Sequence, residues 1–346
     1  MVELRVLVVG AGLSGVLLAR RLQDAGAEAV LIGAGPQVRQ ADATAASGGL
    51  IRAFEPDPTA RSLAGAGLAE LLADPALAAD AGWQRTGSLY LLAAGDAAGA
   101  AEVDAEVLDS SDVARRFGLH GLPQETVGIW ERQAGYLVPE RLRRAVLRGV
   151  RRTEAAPMAR FDDGVVELRD GRRLTGDLVV LAAGAWTPGL LRAAGLPGTL
   201  RTKHIQYAHY ATDRADLPCF VDETSGLYGR PAGPGRLLLG LPSPRWDVDP
   251  PTPAPDADLA ARVGEVAGRR LPGLDLRPVG PPVSAVDCYS EPAGLALRAV
   301  TDAVHTFTGG SGGAAKTALA ASRVAATVLL NSRSAIPVPH GQTEAD

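Results

Sequence analysis

The alternation of apolar and polar residues near the start of the chain predicts a strand, a helix and a second strand. Residues 4–9 form an apolar run that leads into Gly-Ala-Gly-Leu-Ser-Gly at 10–15. Apolar residues then recur with helical spacing over 16–22. Gly26 and a second apolar run at 29–32 follow. This order of elements is typical of a βαβ unit.

The three glycines of this unit indicate a dinucleotide-binding site. Gly10 permits a tight turn, Gly12 lets a pyrophosphate approach the backbone, and Gly15 lets the helix pack closely on the strand. The N-terminus of the helix then offers free N–H groups to the phosphates. The second strand, however, runs into Gly33, where an Asp or Glu usually meets the ribose. We therefore expect the ribose to have another partner or water.

The rest of the pattern predicts further strands and a long C-terminal helix. Residues 178–181 read as a buried strand, and a hairpin turns at 231–235. The Pro- and Asp-rich segment 242–258 is expected to be an exposed loop. A strand at 303–308 enters a glycine turn, and a helix follows over about 314–330.

Composition narrows the class of function. Hydrophobic residues make up 46% of the 346 residues, but no apolar run approaches the roughly 20 residues of a membrane span. The net charge of -4 has no acidic or basic block behind it, which favours neither nucleic acid nor an anionic membrane as a partner. Cys219 and Cys288 lack partners at metal-ligand spacing, so we expect no metal. A cytoplasmic protein that acts on a small molecule is the leading expectation.

The segment Gly310–Thr317 almost matches a phosphate-binding P-loop. The P-loop pattern requires a glycine before its lysine, and Ala315 stands there instead. An acidic Mg²⁺ partner is also expected after a buried strand, yet the strand at 178–181 continues into Ala-Ala-Gly. The lysine itself is unusual, because Lys203 and Lys316 are the only lysines among 35 basic residues. A nucleotide-phosphate role for this segment is the less favoured reading.

Taken in chain order, several segments resemble the FAD-dependent amine and amino-acid oxidases of the D-amino-acid oxidase, glycine oxidase and sarcosine oxidase family. The resemblance covers nearly the whole chain. It rests on VLVVGAGLSG, SGGLIR, TGSLYLL, GYLVPERL, DLVVLAAGAWTP, YGRPAGPGRLLLG, CYSEPAGLAL and TGGSGGAAKTA. Each segment alone is weak evidence, whereas the ordered set is specific.

The resemblance implies an α/β fold with two domains. A discontinuous glutathione-reductase-like FAD-binding Rossmann domain is expected at 1–82, 135–200 and 298–346. A substrate domain built on a mixed β-sheet is expected at 83–134 and 201–297.

The resemblance also implies FAD as the cofactor. In this family the C-terminal glycine turn lies at the flavin ring, where N–H groups and a helix N-terminus stabilise the reduced flavin. Related sarcosine oxidases attach FAD through a cysteine, but Asp287 occupies that position and Cys288 is displaced by one, so non-covalent FAD is expected. The expected FAD-binding residues are Gly10, Ala11, Gly12, Leu13, Ser14, Gly15, Gly33, Ala34, Thr44, Ser47, Gly48, Gly49, Leu50, Ala183, Gly184, Trp186, Gly310, Ser311, Gly312, Gly313, Ala314, Ala315 and Lys316.

Two cations match family positions that suit a substrate carboxylate. Arg52 follows SGGLI, and Lys316 lies in the C-terminal glycine turn motif. An arginine binds a carboxylate with two parallel hydrogen bonds, and a lysine adds a point charge. We predict that the two jointly anchor the substrate. The alternatives are a phosphate or structural contact for Arg52 and a solvent-facing position for Lys316.

Three further residues are candidates for the catalytic site. Tyr228 and Tyr289 match tyrosines that face the substrate in related enzymes, with an ordinary core aromatic as the alternative. His204 is the third candidate, although a structural or surface histidine is the more common role on such a strand.

The implied reaction removes a hydride from the carbon next to an amine, delivers it to flavin N5 and leaves an imine. Oxygen is the expected acceptor, giving hydrogen peroxide, although Leu238 replaces the lysine that promotes the oxygen reaction in sarcosine oxidase-like enzymes. One alternative is a flavin subunit of a heteromeric dehydrogenase that passes electrons to a partner. Another is an FAD-binding protein without amine chemistry. The expected small-molecule partner is an amine or amino acid, and the candidate protein partners are further copies of the chain or an electron-accepting subunit.

Overall fold

The structure is a computed structural model that describes residues 4–33, 42–214, 216–250 and 253–332. Its α-helices are α1 (Leu13–Asp24), α2 (Pro58–Ala73), α3 (Pro75–Asp80), α4 (Ser110–Phe117), α5 (Pro139–Leu147), α6 (Thr187–Ala193), α7 (Ala257–Arg270) and α8 (Ala314–Ser332). Its strands are β1 (Arg5–Val9), β2 (Glu28–Ile32), β3 (Leu50–Ile51), β4 (Ser88–Ala93), β5 (Glu106–Asp109), β6 (Thr126–Glu131), β7 (Gly135–Tyr136), β8 (Thr153–Glu154), β9 (Met158–Asp162), β10 (Val165–Leu168), β11 (Arg173–Thr175), β12 (Leu178–Leu181), β13 (Arg201–Ala211), β14 (Cys219–Asp222), β15 (Leu227–Pro231), β16 (Arg236–Gly240), β17 (Arg277–Pro278), β18 (Val283–Tyr289), β19 (Ala296–Ala299) and β20 (Val304–Thr308).

The first large sheet has six strands in the order β19-β20-β12-β1-β2-β8. All neighbours pair in parallel except the edge strand β19, which is antiparallel to β20. Helices α1 and α8 pack on one face through an apolar cluster that includes Val6, Val8 and Leu319. The small sheet β9–β11 packs on the other face, where Leu7 and Val30 share a cluster with Phe161. Parallel strands buried on both faces explain why these segments are almost wholly apolar.

The second large sheet has nine strands and is mixed. Its order is β17-β13-β16-β15-β14-β4-β6-β5, with β18 paired to β13 beside β17. Only β14 and β4 pair in parallel. One face packs on α4 and α7 through buried residues such as Phe220, Leu239 and Val263. We call the opposite face, which carries Tyr90, Tyr207 and Tyr228, the cleft face.

The predicted α/β fold with mixed sheets is confirmed, and several boundaries agree closely. The buried strand at 178–181 is β12, and the C-terminal helix begins at Ala314 as expected. The described residues of segment 242–258 are mostly exposed, as predicted, except that Ser243 is buried and helix α7 already begins at Ala257. Strands of the six-stranded sheet come from the segments assigned to the FAD domain, except that β19 crosses the predicted boundary at 297/298, and those of the nine-stranded sheet come from the other segments. The domain boundaries themselves stay a prediction.

No helix in the described part of the chain is both long enough and apolar enough to cross a membrane.

Candidate functional site

The segments predicted to bind FAD meet at one edge of the six-stranded sheet. Strands β1, β2, β12 and β20 are parallel, so the loops that follow them lie at the same edge. These loops contain Gly10–Gly15, Gly33, Ala183–Trp186 and Gly310–Gly313 in turn. Ligands of open α/β sheets bind at this carboxyl edge. Ala34, also predicted to bind FAD, lies outside the described residues.

The loop after β1 is shaped by glycines that leave no room for side chains. Gly10 has φ +119°, and a Cβ added there would lie 2.4 Å from the Ala182 carbonyl oxygen. A Cβ on Gly15 would lie 1.9 Å from the Gly10 carbonyl oxygen. The turn, the start of α1 and the end of β12 are therefore in direct backbone contact. Glycine is the residue that permits this approach.

The N-terminus of α1 has the features of a pyrophosphate site. Gly12 is the N-cap residue and provides no side-chain cap. The Leu13 N–H donates to the Thr44 hydroxyl at 3.1 Å, which brings a second predicted FAD residue to the same helix end. Uncapped N–H groups and the helix dipole favour an anionic group here. The residues of this loop therefore fit a dinucleotide.

Packing accounts for the missing acidic residue after β2. A Cβ on Gly33 would lie 2.7 Å from the Ala11 Cβ, so any side chain would require the glycine loop to move. Glycine at position 33 thus permits close contact with the glycine loop after β1. The ribose contact must come from elsewhere.

The C-terminal glycine turn differs from the expectation in one respect. The N–H groups of Ser311, Gly312 and Gly313 donate to the Cys288 carbonyl, the Asp287 carboxylate and the Gly310 carbonyl. These three groups are therefore not free to meet a flavin ring. The first turn of α8, from Ala314, is the part of this motif that offers its N–H groups and its dipole.

The third predicted FAD segment is held against the nine-stranded sheet. Leu50 and Ile51 form β3, which pairs with β7. The Ser47 hydroxyl accepts a hydrogen bond from the Gly49 N–H at 3.2 Å. Arg230 of β15 donates from Nε to the Gly48 carbonyl. This segment leads directly to Arg52.

Arg52 and Lys316 come together on one carboxylate that the sequence analysis missed. Glu55 Oε1 lies 2.6 Å from an Arg52 Nη and 3.0 Å from Lys316 Nζ. The side chains of Arg52, Lys316 and Glu55 are 6%, 11% and 14% exposed, so water screens these ion pairs weakly. Both cations pair with Glu55, and the carboxylates of Glu131 and Glu223 also act through space on Arg52 and Lys316, respectively.

The pKa values follow from this arrangement. Burial opposes ionisation of Glu55, but Arg52 and Lys316 outweigh it and hold the pKa of this carboxyl below its ordinary value. Burial lowers the pKa of Lys316, and Arg52 lowers it further, while Glu55 acts in the opposite direction. Glu55 thus favours the charged form of Lys316, whereas burial and Arg52 favour the neutral amine.

Arg52 is fixed on the cleft face by stacking and by its neighbours. Its guanidinium lies 4.5 Å from the centre of the Tyr90 ring, and its Nε donates to the Phe54 carbonyl at 3.1 Å. The Glu131 carboxylate accepts hydrogen bonds from the N–H groups of Ala53 and Phe54 at 2.8 and 2.9 Å. The Arg52 segment is therefore anchored to strands β4 and β6.

The cleft face also carries Tyr228, whose predicted contact with the substrate stays a prediction. Tyr228 pairs across the ladder with Gly240, which pairs in turn with Tyr207. A Cβ on Gly240 would lie 2.3 Å from the Tyr228 ring, so glycine leaves space for this aromatic side chain. The Tyr228 hydroxyl donates to the Gln206 carbonyl at 3.0 Å, and burial raises the pKa of Tyr228. It remains protonated and can still accept a hydrogen bond.

Tyr289 lies at another end of the cleft face, beside the C-terminal glycine turn. Its backbone bridges to Gly310, and its ring centre is 5.0 Å from that of Trp246. Lys203 Nζ lies 5.4 Å from the Tyr289 ring centre and 4.6 Å from the Trp246 ring centre. The second lysine of the chain is therefore held by aromatic rings rather than by a carboxylate.

His204 is separated from the other candidates. It points to the face of β13 that packs on the apolar core, together with Gln206, and is fully buried. Its two ring nitrogens lie 3.0 Å from the Ser243 hydroxyl and 2.9 Å from the Ser284 hydroxyl. Burial lowers the pKa of His204. These contacts argue against the predicted catalytic role. Both ring nitrogens have hydrogen-bond partners, and the ring lies on the face of the sheet opposite the cleft face.

Several residues of the site were missed by the sequence analysis. Glu55, Tyr90, Glu131 and Arg230 all contact the Arg52 segment or the cleft face. One signal was available for Arg230, because strand alternation puts it on the same side as Tyr228, two residues earlier. Glu55 had no comparable signal, since its role depends on a lysine 261 residues further along the chain.

Comparisons with known proteins agree with this geometry. The glycine loops at the carboxyl edge are those of a dinucleotide-binding α/β protein. A family model described as FAD dependent oxidoreductase (DAO) matches residues 5–327. The chain therefore belongs to this family of FAD-dependent flavoproteins, as its resemblance indicated.

Individual relatives are more distant. A monomeric sarcosine oxidase from Streptomyces avermitilis is 29% identical over 166 residues, which are 46% of this chain and 40% of that protein. The match thus spans less than half of the relative. The structure of L-proline dehydrogenase from P. horikoshii has a TM-score of 0.77 at 17% identity, covering 95% of this chain and 94% of that one. Glycine oxidase from Geobacillus kaustophilus has a TM-score of 0.77 at 15% identity, covering 97% and 98%. These two likenesses show the shared fold.

The ion pairs of Glu55 give a test by pH. The folded-state pKa of Glu55 lies below the ordinary 4.5, so its ion pairs stabilise the fold at neutral pH and are lost as the pH falls below that value. We expect Glu55→Gln to lower the free energy of unfolding by about 2–4 kcal/mol at neutral pH, and by less at about pH 4. Urea unfolding at both pH values measures the difference.

The matched control is Glu106→Gln, which removes a carboxylate whose side chain is 48% exposed and pairs with Arg116. Its effect should be small at both pH values. A loss of stability for Glu55→Gln that does not shrink at low pH would contradict the electrostatic account.

Proposed function

We propose that the protein oxidises a C–N bond in a small amine or amino acid, with oxygen as electron acceptor and with an imine and hydrogen peroxide as products. Bound FAD supplies the electron-accepting chemistry of this reaction. The observation that carries the proposal is the buried Arg52–Glu55–Lys316 cluster beside the glycine loops of an FAD-dependent family. The similarity to a sarcosine oxidase supports an amine that carries a carboxylate.

Arg52 and Lys316 are proposed to anchor that carboxylate. Both side chains are almost removed from water, so a carboxylate beside them is screened weakly. Glu55 raises the pKa of Lys316 against the effects of burial and of Arg52. The planar Arg52 guanidinium, fixed over the Tyr90 ring, sets the direction of approach.

The same charges favour the reactive form of the substrate amine. Oxidation next to nitrogen requires the unprotonated amine, and nearby positive charge lowers the pKa of an ammonium group. Buried aromatic residues, Tyr207 and Tyr228, exclude water and strengthen this effect. The protein's contribution is therefore to orient the substrate and to favour the unprotonated form of its amine.

FAD is proposed to be held without a covalent bond. Attachment through sulfur requires a thiolate, yet burial raises the pKa of both Cys219 and Cys288 to about 11. Cys288 is 1% exposed. Asp287 precedes it at the position where related enzymes have their cysteine.

A flavin-containing dehydrogenase that passes electrons to another protein is the second candidate. Leu238, at the position where sarcosine oxidase-like enzymes carry a lysine, is fully buried on the cleft face opposite His209. An apolar side chain gives no charge to stabilise superoxide. The named L-proline dehydrogenase shares this fold.

The function is tested by reduction and reoxidation of the FAD-loaded protein. Under anaerobic conditions we expect amino acids, N-methyl amino acids or cyclic imino acids to bleach the visible absorbance of the bound flavin. Rapid recovery of colour in air supports the oxidase, whereas slow recovery supports the dehydrogenase. A yellow protein that none of these amines bleaches would refute amine oxidation.

Removal of either anchor cation should weaken carboxylate binding. We expect Arg52→Met and Lys316→Met each to raise the apparent Kd of a small carboxylate by roughly 30-fold, or about 2 kcal/mol. The measurement is titration of the flavin absorbance, with the neutral amide of the same ligand as control. Equal losses for acid and amide would point to a structural role for these side chains.

Non-covalent attachment predicts release of the cofactor on unfolding. After denaturation of the loaded protein and ultrafiltration, all yellow colour should appear in the filtrate, because no thiolate is available to hold it. Colour retained with the chain would contradict the proposal, and its loss in Cys288→Ser would then identify the attachment site.

A further inference from the structure

Arg230 is a buried cation of the cleft face that has no acidic partner. Its relative exposure is 9%. Within residues 4–33, 42–214, 216–250 and 253–332, no aspartate or glutamate forms an ion pair with it, in contrast to Arg52 and Lys316. Burying an unpaired charge costs several kcal/mol. A buried arginine without an acidic partner indicates that an anion from outside the described chain binds there.

The contacts of Arg230 orient it without neutralising it. Nε donates to the Gly48 carbonyl, and one Nη donates to the Pro231 carbonyl at 2.7 Å. The guanidinium lies 4.2 Å from the centre of the Tyr136 ring. The second Nη has no acceptor among the described residues. The guanidinium group is thus held in place, and its second Nη is an unused hydrogen-bond donor.

The surroundings of Arg230 supply no negative charge. Its nearest titratable neighbours are Cys219, Tyr136, Tyr207 and His209. Burial raises the pKa of the thiol and of both phenols and lowers the pKa of His209, so all four groups are neutral at pH 7. Any compensating charge must therefore be brought by a ligand.

Arg230 and the Arg52 cluster form two separate positive poles on one face. Arg230 lies on β15, and Arg52 stacks on Tyr90 of β4. Strand β14 runs between these two strands and carries Cys219, whose thiol is influenced by both arginines. Two strand spacings, roughly 10 Å, separate β15, which carries Arg230, from β4, which carries Tyr90. This separation suits one small ligand with an anionic group at each end.

We propose that Arg230 is a second anion anchor and that the preferred substrate is an amine bearing two carboxylates. This inference rests on the proposed amine oxidation for its reacting nitrogen. One carboxylate meets Arg52 and Lys316, the other meets the unused donor of Arg230, and the nitrogen lies between two positive poles. The guanidinium fork distinguishes a dicarboxylate from a monocarboxylate, because only the former brings a counterion to each pole.

The test uses unreactive ligands and the FAD-loaded protein. Titration of the flavin absorbance gives the apparent Kd of butyrate and of succinate, which have the same chain length. We expect succinate to bind at least about 10-fold more tightly, because two charge pairs form instead of one. Arg230→Gln should abolish this preference and leave butyrate binding within about two-fold, because butyrate needs only the other pole. Arg230→Lys should keep part of the preference.

Controls separate this proposal from other roles of Arg230. Arg236→Gln removes an exposed arginine of the same hairpin and should change neither ligand. Equal weakening of butyrate and succinate in Arg230→Gln would overturn the proposal and indicate a structural role. A fall in FAD affinity with the succinate preference intact would overturn it in favour of a cofactor contact.

If Arg230→Gln does not fold, the wild-type protein still decides the matter. Absence of a succinate preference in the wild type refutes the second anchor. Because neither ligand is oxidised, this outcome is independent of amine oxidation. A protein bleached by monocarboxylic amines but indifferent to succinate would keep the proposed function and lose only this inference.

Discussion

The burial of positive charge on one sheet face is the constraint on which the rest of the site depends. Arg52, Lys316 and Arg230 are removed from water, and Glu55 is the one carboxylate that pairs with any of them in the described chain. Such charges persist only where packing and partners hold them. Stacking on Tyr90 and Tyr136 and hydrogen bonds to carbonyl groups hold the two arginines. The result is a cleft prepared for an anion.

The cleft and the cofactor site are joined through backbone contacts. Glycines at the carboxyl edge of the six-stranded sheet let the loop after β1 touch the end of β12, and they form the turn before α8. Lys316 follows that turn within the first turn of α8, and Arg52 follows the loop that Arg230 contacts at Gly48. The residues proposed to meet the substrate therefore extend from the same segments as those proposed to meet FAD.

The sequence predicted the fold well where the signal was local. The βαβ unit, strand β12 and the start of α8 follow from periodicity and glycine placement within short windows. The family resemblance added the order of segments and the candidates Arg52, Lys316 and Tyr228. His204 shows the limit of this approach, because alternation assigns a residue to a face without saying which face packs on the core. Ser243 and Ser284, which engage its ring, are distant in the chain.

The sequence by itself determined the class of protein: a family of FAD-dependent oxidoreductases, recognised from glycine motifs whose meaning is local and geometric. Only the tertiary structure decided how the charges combine. Glu55 pairs with Lys316, whereas no carboxylate of the described residues pairs with Arg230, and neither fact can be predicted from the residues adjacent in sequence. The physical reason is that electrostatic interactions act through space in a weakly screened interior, between side chains that strand pairing brings together from distant parts of the chain.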